Sequence, residues 1–186
     1  VLRTKLHLSE DDTATGIAES YWPLPGLRGG VLDRYLDLAD QKGGAKAHDI
    51  AAGLRSAARE REPARRASVL EKIFLTVKAE PKADSQFFVK AMLTEAPELI
   101  DAVATARAHV VLCRDRLKTA RMYEATRAAL ILADRLNKDY DDLKKQRSQL
   151  DFEDLITLTS ELLHKSDVGP WIHYKLDQGI DHILVD

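Results

Sequence analysis

The sequence predicts a mainly α-helical fold that closes on a single C-terminal β-strand, and three observations carry that prediction. Residues 98–168 contain neither proline nor glycine and are dominated by Ala, Leu, Arg, Lys, Asp and Glu, a composition that favours long helix. Hydrophobic residues make up 45% of the chain but aromatic residues only 6%, so the core must be built mainly from Leu, Ile, Val and Ala. Apolar positions recur at helical spacing along the chain until Ile183, Leu184 and Val185, which form one compact apolar run before Asp186.

The elements follow in order. Ser9-Glu10-Asp11-Asp12 reads as a helix start, with Ser9 as cap and acidic residues where the helix dipole favours them. That helix is expected to be short and to stop before Pro23. From Gly26 to Gln41, residues Leu27, Val31, Leu32, Tyr35, Leu36 and Leu38 keep helical spacing, and Gly43-Gly44 supplies the stop. A third helix is expected from Lys46 to Arg61. Pro63 suits the first turn of a fourth, which gathers Val69, Leu70, Ile73 and Phe74 on one side. Phe74-Leu75-Thr76 then leads into Lys78-Ala79-Glu80-Pro81, a loop with room for a short extended piece.

After Pro97 the pattern predicts one very long helix, or two with a tight break. Its apolar positions, Leu99, Ile100, Val103, Val110, Leu117, Leu130, Ala133, Leu136, Tyr140 and Leu143, argue for antiparallel packing against the earlier helices. Asp151 is the expected cap of a helix from Phe152 to His164, with Phe152, Leu155 and Ile156 packing inward. A further helix is expected from Gly169 to Leu176. Ile183-Leu184-Val185, between Gly179 and Asp186, reads as a buried strand of a parallel sheet. One strand cannot satisfy its own backbone hydrogen bonds, so its sheet partners are expected to lie outside this chain.

Composition narrows the function classes. A formal charge of −2 gives no global attraction to nucleic acid, so DNA contact would need a local patch. Arg55, Arg59, Arg61, Arg65, Arg66 and Lys72 form the densest basic run, interleaved with Glu60, Glu62 and Glu71. Arg114, Arg116, Lys118 and Arg121 form a second cluster, and Lys144, Lys145 and Arg147 a third. A solvated helix face is the plain alternative for each. The one cysteine, Cys113, sits in an apolar helical run as a buried thiol, a usage that a reducing cytoplasm tolerates. With no initiator Met, signal peptide or long apolar stretch, the chain is expected to be cytoplasmic, without a membrane partner, and cut at its N-terminus. His48, His109, His164, His173 and His182 lack metal-ligand spacing. Gly29-Gly30 and Gly43-Gly44 do not belong to a triphosphate-binding loop, so no ATPase activity is expected from this chain alone.

Two segments combine into a resemblance. Leu150-Asp151-Phe152-Glu153-Asp154-Leu155-Ile156 and, about thirty residues later, Gly179-Ile180-Asp181-His182-Ile183-Leu184-Val185-Asp186 resemble, in that order, elements of the UvrD/Rep-like superfamily-one DNA helicases. Trp171 to Asp186 is most similar to the AddA-type helicase-nucleases of bacterial AddAB double-strand-break repair complexes. Leu6-His7-Leu8-Ser9-Glu10-Asp11-Asp12, Ile73-Phe74-Leu75-Thr76 and Glu80-Pro81-Lys82 are also similar to that family.

The resemblance implies a helical accessory subdomain, residues 1–149, inserted in a RecA-like P-loop motor domain. Residues 150–186 would return the chain to that motor, with Asp151, Phe152 and Asp154 at the junction. Asp186 would open the second helicase motif and hold Mg²⁺ against ATP in the whole protein, where α/β sheets place their ligands. The implied partners are duplex or forked DNA and the partner nuclease subunit. DNA-binding candidates are Arg55, Arg59, Arg65, Arg66, Lys144, Lys145 and Arg147. A free-standing helical protein-interaction module is the competing reading from another class.

Overall fold

The computed structural model describes residues 2–6, 8–9, 12–164 and 169–177. Among them the chain is helical, with α1 (Leu2–Lys5), α2 (Ala14–Ser20), α3 (Gly30–Lys42), α4 (Ala45–Arg59) and α5 (Pro63–Phe74). These are followed by α6 (Asp84–Phe87), α7 (Lys90–Glu95), α8 (Leu99–Arg147), α9 (Phe152–His164) and α10 (Gly169–Asp177). No described helix is long and apolar enough to cross a membrane. The expected strand at Ile183–Val185, together with His182 and Asp186, lies outside the described residues. Two compact units divide the chain, Val1–Ala128 and Ala129–Asp186.

In the first unit, local signals place most helices and tertiary contacts correct the rest. Ser9 does not cap a helix. Its amide instead donates to Asp12 Oδ2 at 2.9 Å, and Asp12 pairs with Arg116 of α8 at 2.6 Å. With Asp12 drawn back into that turn, Thr13 caps α2, its hydroxyl accepting from the Gly16 amide at 3.0 Å. The segment from Gly26 is a turn, and α3 starts only at Gly30. Pro63 occupies the first turn of α5 as expected. The short extended piece after it is an isolated antiparallel bridge between Leu75 and Pro81. Helices α6 and α7 were not expected, because four and six residues are too few to show a period.

The core of this unit is organised around α8. Leu99, Val103, Ala106, Val110, Cys113, Leu117 and Ala120 are buried, in alternating steps of four and three residues that keep one narrow seam facing inward. Against it pack Tyr21, Leu24, Leu27, Tyr35, Leu54, Leu70, Phe74, Phe87 and Met92. Phe74 stacks on Phe87 with centroids 5.4 Å apart, and Tyr35 meets Phe88 edge-on at 5.7 Å. Each fully buried Leu or Val contributes about 1.5–3 kcal/mol. Buried hydroxyls are satisfied: Tyr35 donates to the Phe87 carbonyl at 3.0 Å and Tyr21 to Glu71 at 2.6 Å. Cys113 is a buried thiol as expected, its pKa pushed up by burial.

Beyond Ala120 the same steps pass through Glu124, Arg127, Ile131 and Asp134, a mostly polar continuation whose one apolar member, Ile131, is exposed. The later apolar positions Leu132, Leu136, Tyr140 and Leu143 sit on another face. At about 100° per residue, Leu136 and Tyr140 lie roughly 160–200° round the helix from Ala120. These positions, expected to pack inward, are exposed: Leu136 is 66% exposed, and Leu130, Tyr140 and Leu143 are exposed with it. In the second unit α9 contacts α10, yet α9 buries none of its residues.

Gly26 tests this description of the core. Its φ is +81°, and a Cβ there would lie 2.4 Å from the Ala102 carbonyl oxygen of α8. Both the left-handed backbone and the close approach require glycine. Gly26→Ala should cost about 2–4 kcal/mol of unfolding free energy in urea denaturation, and a change below about 1 kcal/mol would show that this contact is not maintained.

Candidate functional site

Asp151, Phe152 and Asp154, the residues expected at a junction, lie at the corner between α8 and α9, within the second unit. Helix α8 ends with Ser148 at φ +53°, a left-handed residue. The Ser148 amide donates to the Lys145 carbonyl at 3.1 Å and the Gln149 amide to the Lys144 carbonyl at 3.0 Å, the paired bonds of a Schellman ending. Helix α9 starts at Phe152 with a reciprocal cap. Asp151 Oδ1 accepts from the Asp154 amide at 2.9 Å, and Asp154 Oδ2 accepts from the Asp151 amide at 3.0 Å.

Lys144 joins the two ends. Its ammonium donates to Asp151 Oδ2 at 3.0 Å and to Asp154 Oδ2 at 2.7 Å, with Asp141 Oδ1 at 3.4 Å. The Tyr140 ring lies 4.8 Å from Nζ, and its hydroxyl donates to Asp151 at 3.3 Å. The carboxylates, Asp154 first, raise the Lys144 pKa, while the Asp154 amide and then Lys144 hold the Asp151 carboxyl below its ordinary range. Three carboxylates meeting on one cation already have their counter-ion. Among the described residues no group of His, Cys, Asp or Glu is arranged to hold a metal ion.

Around the corner the expected inward packing is reversed. Phe152 is 86% exposed, and Leu155 and Ile156 are exposed too, because no described element of this unit covers that face of α9. Lys145 is exposed and lines the same groove as Asn137, Asp141 and Thr157, and Arg147 lines its neighbour beside Leu143 and Leu150.

In the first unit three of the six members of the densest basic run, Arg55, Arg65 and Arg66, are engaged. Arg55 forms a two-pronged pair with Asp40. Arg66 donates to the Ala57 and Glu60 carbonyls and so closes the end of α4. Arg65 pairs with Glu62 at 2.6 Å. Glu60 accepts from the Glu62 and Arg61 amides, which hold its carboxyl below the usual range. Arg59 is exposed and shares a shallow groove with Arg55, Ser56 and Arg61. In the second cluster Arg114 pairs with Asp115 and Arg116 with Asp12, leaving Lys118 and Arg121 exposed. Asp186, the expected Mg²⁺ residue, lies outside the described residues.

No protein-family model, curated protein or solved structure matches the chain.

Sequence reasoning missed Asp141, Tyr140 and Ser148 as parts of this corner. Asp141 stands three residues before Lys144 and Asp154 three after Asp151, spacings that already signal an ion pair and a reciprocal cap.

Two outcomes follow for the corner. Asp151 has a lowered pKa, so its contribution is present above the ordinary aspartate range and lost as pH falls through the lowered value. Lys144 has a raised pKa, so its contribution is complete below the ordinary lysine range and lost only as pH rises through the raised value. Protection of the Asp154 amide should therefore be flat between about pH 5 and 9 and fall below about pH 4; titration of the Asp151 carboxyl carbon at or above its usual midpoint would contradict this. Separately, Ser148→Gly removes a side chain from a left-handed position and should stabilise the end of α8 by about 1 kcal/mol, read as raised helicity on thermal melting.

Proposed function

We propose that this chain is an internal segment of an AddA-type, ATP-dependent DNA helicase-nuclease of the UvrD/Rep-like superfamily. Its parent would unwind and process double-strand-break ends for recombinational repair with a partner nuclease subunit. The observation that carries this reading is the order of two elements, Leu150–Ile156 and then Gly179–Asp186, the second a hydrophobic run delivering a carboxylate. In this reading residues 1–149 are the helical accessory subdomain, and the stop and start at Ser148–Asp154 is where it rejoins the RecA-like motor. A long helix that closes on a tightly capped corner suits such a junction, since the fixed corner gives the returning chain a defined direction.

DNA contact in this reading falls to the exposed cations. Arg59 in the first unit, and Lys145 and Arg147 in the second, have no intramolecular ion pair among the described residues and can neutralise phosphate. Arg55, Arg65, Arg66 and Lys144 are already bonded to carboxylates or carbonyls. A second reading, a helical protein-interaction module, draws on the exposed apolar positions Leu132, Leu136, Tyr140 and Leu143.

Asp186→Asn in the whole gene product separates the two. The helicase reading expects DNA-stimulated ATP turnover to fall about 100-fold or more, with DNA binding retained. Unchanged turnover, or a gene product with no DNA-stimulated ATPase, removes the helicase reading and leaves the interaction module.

A further inference from the structure

We infer that Lys144 is the positioning residue of the α8–α9 corner: its ammonium couples the direction of α9 to the end of α8, and it is not a contact for DNA phosphate. The functional consequence rests on the helicase reading, whereas the geometry does not.

Lys144 closes both helix ends at once. Its carbonyl accepts the Gln149 amide that ends α8, at 3.0 Å. Its ammonium holds the two carboxylates that cap α9, with Asp154 reached through both oxygens at 2.9 and 2.7 Å. A lysine has three donors, and Asp151, Asp154 and Asp141 account for them. The side chain is only 15% exposed, so a phosphate would have to displace carboxylates that are themselves fixed by backbone amides. Lys145, the next residue, carries a solvent-facing ammonium without such partners.

The connection between the helices is short, and the cap supplies local order without setting the angle between them. Nothing apolar is buried by α9 to set that angle either. Among the described groups, the ion cluster on Lys144, with the longer Tyr140 hydroxyl bond to Asp151 beside it, ties side chains of α8 to the start of α9.

The test measures the distance between spin labels on Ala133→Cys and Ser160→Cys in the full chain, with Cys113→Ala. The parent chain should give one narrow distribution. Lys144→Met should broaden it, and so should Asp151→Asn with Asp154→Asn, which leaves the capping oxygens in place. The triple variant should be no broader than either, the non-additivity expected of one shared interaction. A Lys144→Met distribution as narrow as the parent's, or fully additive broadening, overturns the inference.

In the whole gene product, Lys144→Met should lower the turnover number of DNA-stimulated ATP hydrolysis about tenfold with DNA affinity and its salt dependence unchanged. Weaker binding with the salt slope reduced by about one would make Lys144 a phosphate contact and overturn the inference. If that gene product shows no DNA-stimulated ATPase, the helicase reading fails, and the distance measurement alone decides the role of Lys144.

Discussion

The burial of one narrow seam of α8, from Leu99 to Ala120, is the constraint on which the first unit depends. Helices α1 to α7 run from four to fifteen residues, and helices shorter than about 12–15 residues are marginal in water by themselves. Helices α2 to α7 persist because each lays an apolar side chain against that seam or against a neighbour already held by it. Tyr21, Leu54, Leu70, Phe74 and Met92 come from three different helices and one helix end, and all are essentially inaccessible to water. Gly26 belongs to the same constraint, since only a residue without Cβ lets the turn before α3 approach the backbone of α8.

The second unit is held differently. Its best-defined local feature is polar, a lysine ammonium shared by carboxylates at the junction of two helices. Hydrophobic burial is non-directional and tolerates small shifts. Hydrogen-bonded ion pairs with fixed caps specify a direction, because each carboxylate is oriented by a backbone amide as well as by the cation. A corner of this kind suits a segment whose task is to carry the chain from one element to another at a set angle. The apolar side chains exposed along α8 and α9 leave that unit with surface that a partner could cover.

Charge in this protein illustrates the difference between composition and availability. The basic runs visible in the sequence suggest several nucleic-acid faces. Once folded, Arg66 closes a helix, Arg55, Arg65 and Arg116 neutralise nearby acids, and Lys144 organises a turn. What remains for an outside anion is the smaller set of exposed side chains without such partners, of which Arg59, Lys145 and Arg147 were named from sequence alone.

The sequence by itself determined what is local: the helical class, the start of α5 at Pro63 and the Asp151 cap of α9, while the continuity of α8, which the sequence left open as one helix or two, was settled by the structure. Each of these follows from residues within a turn of one another, where propensity, proline geometry and capping act. Tertiary structure decided the rest. Thr13 caps α2 in place of Ser9 because Asp12 answers an arginine on a helix far along the chain. The seam of α8 is buried up to Ala120, whereas Ile131 on the same seam and Leu136 and Tyr140 on another face are exposed, because burial depends on neighbours that the helix alone does not supply. Lys144 reads as a basic residue in a basic run until the fold brings its carboxylates to it, since a charge has no assigned partner until the chain closes the distance.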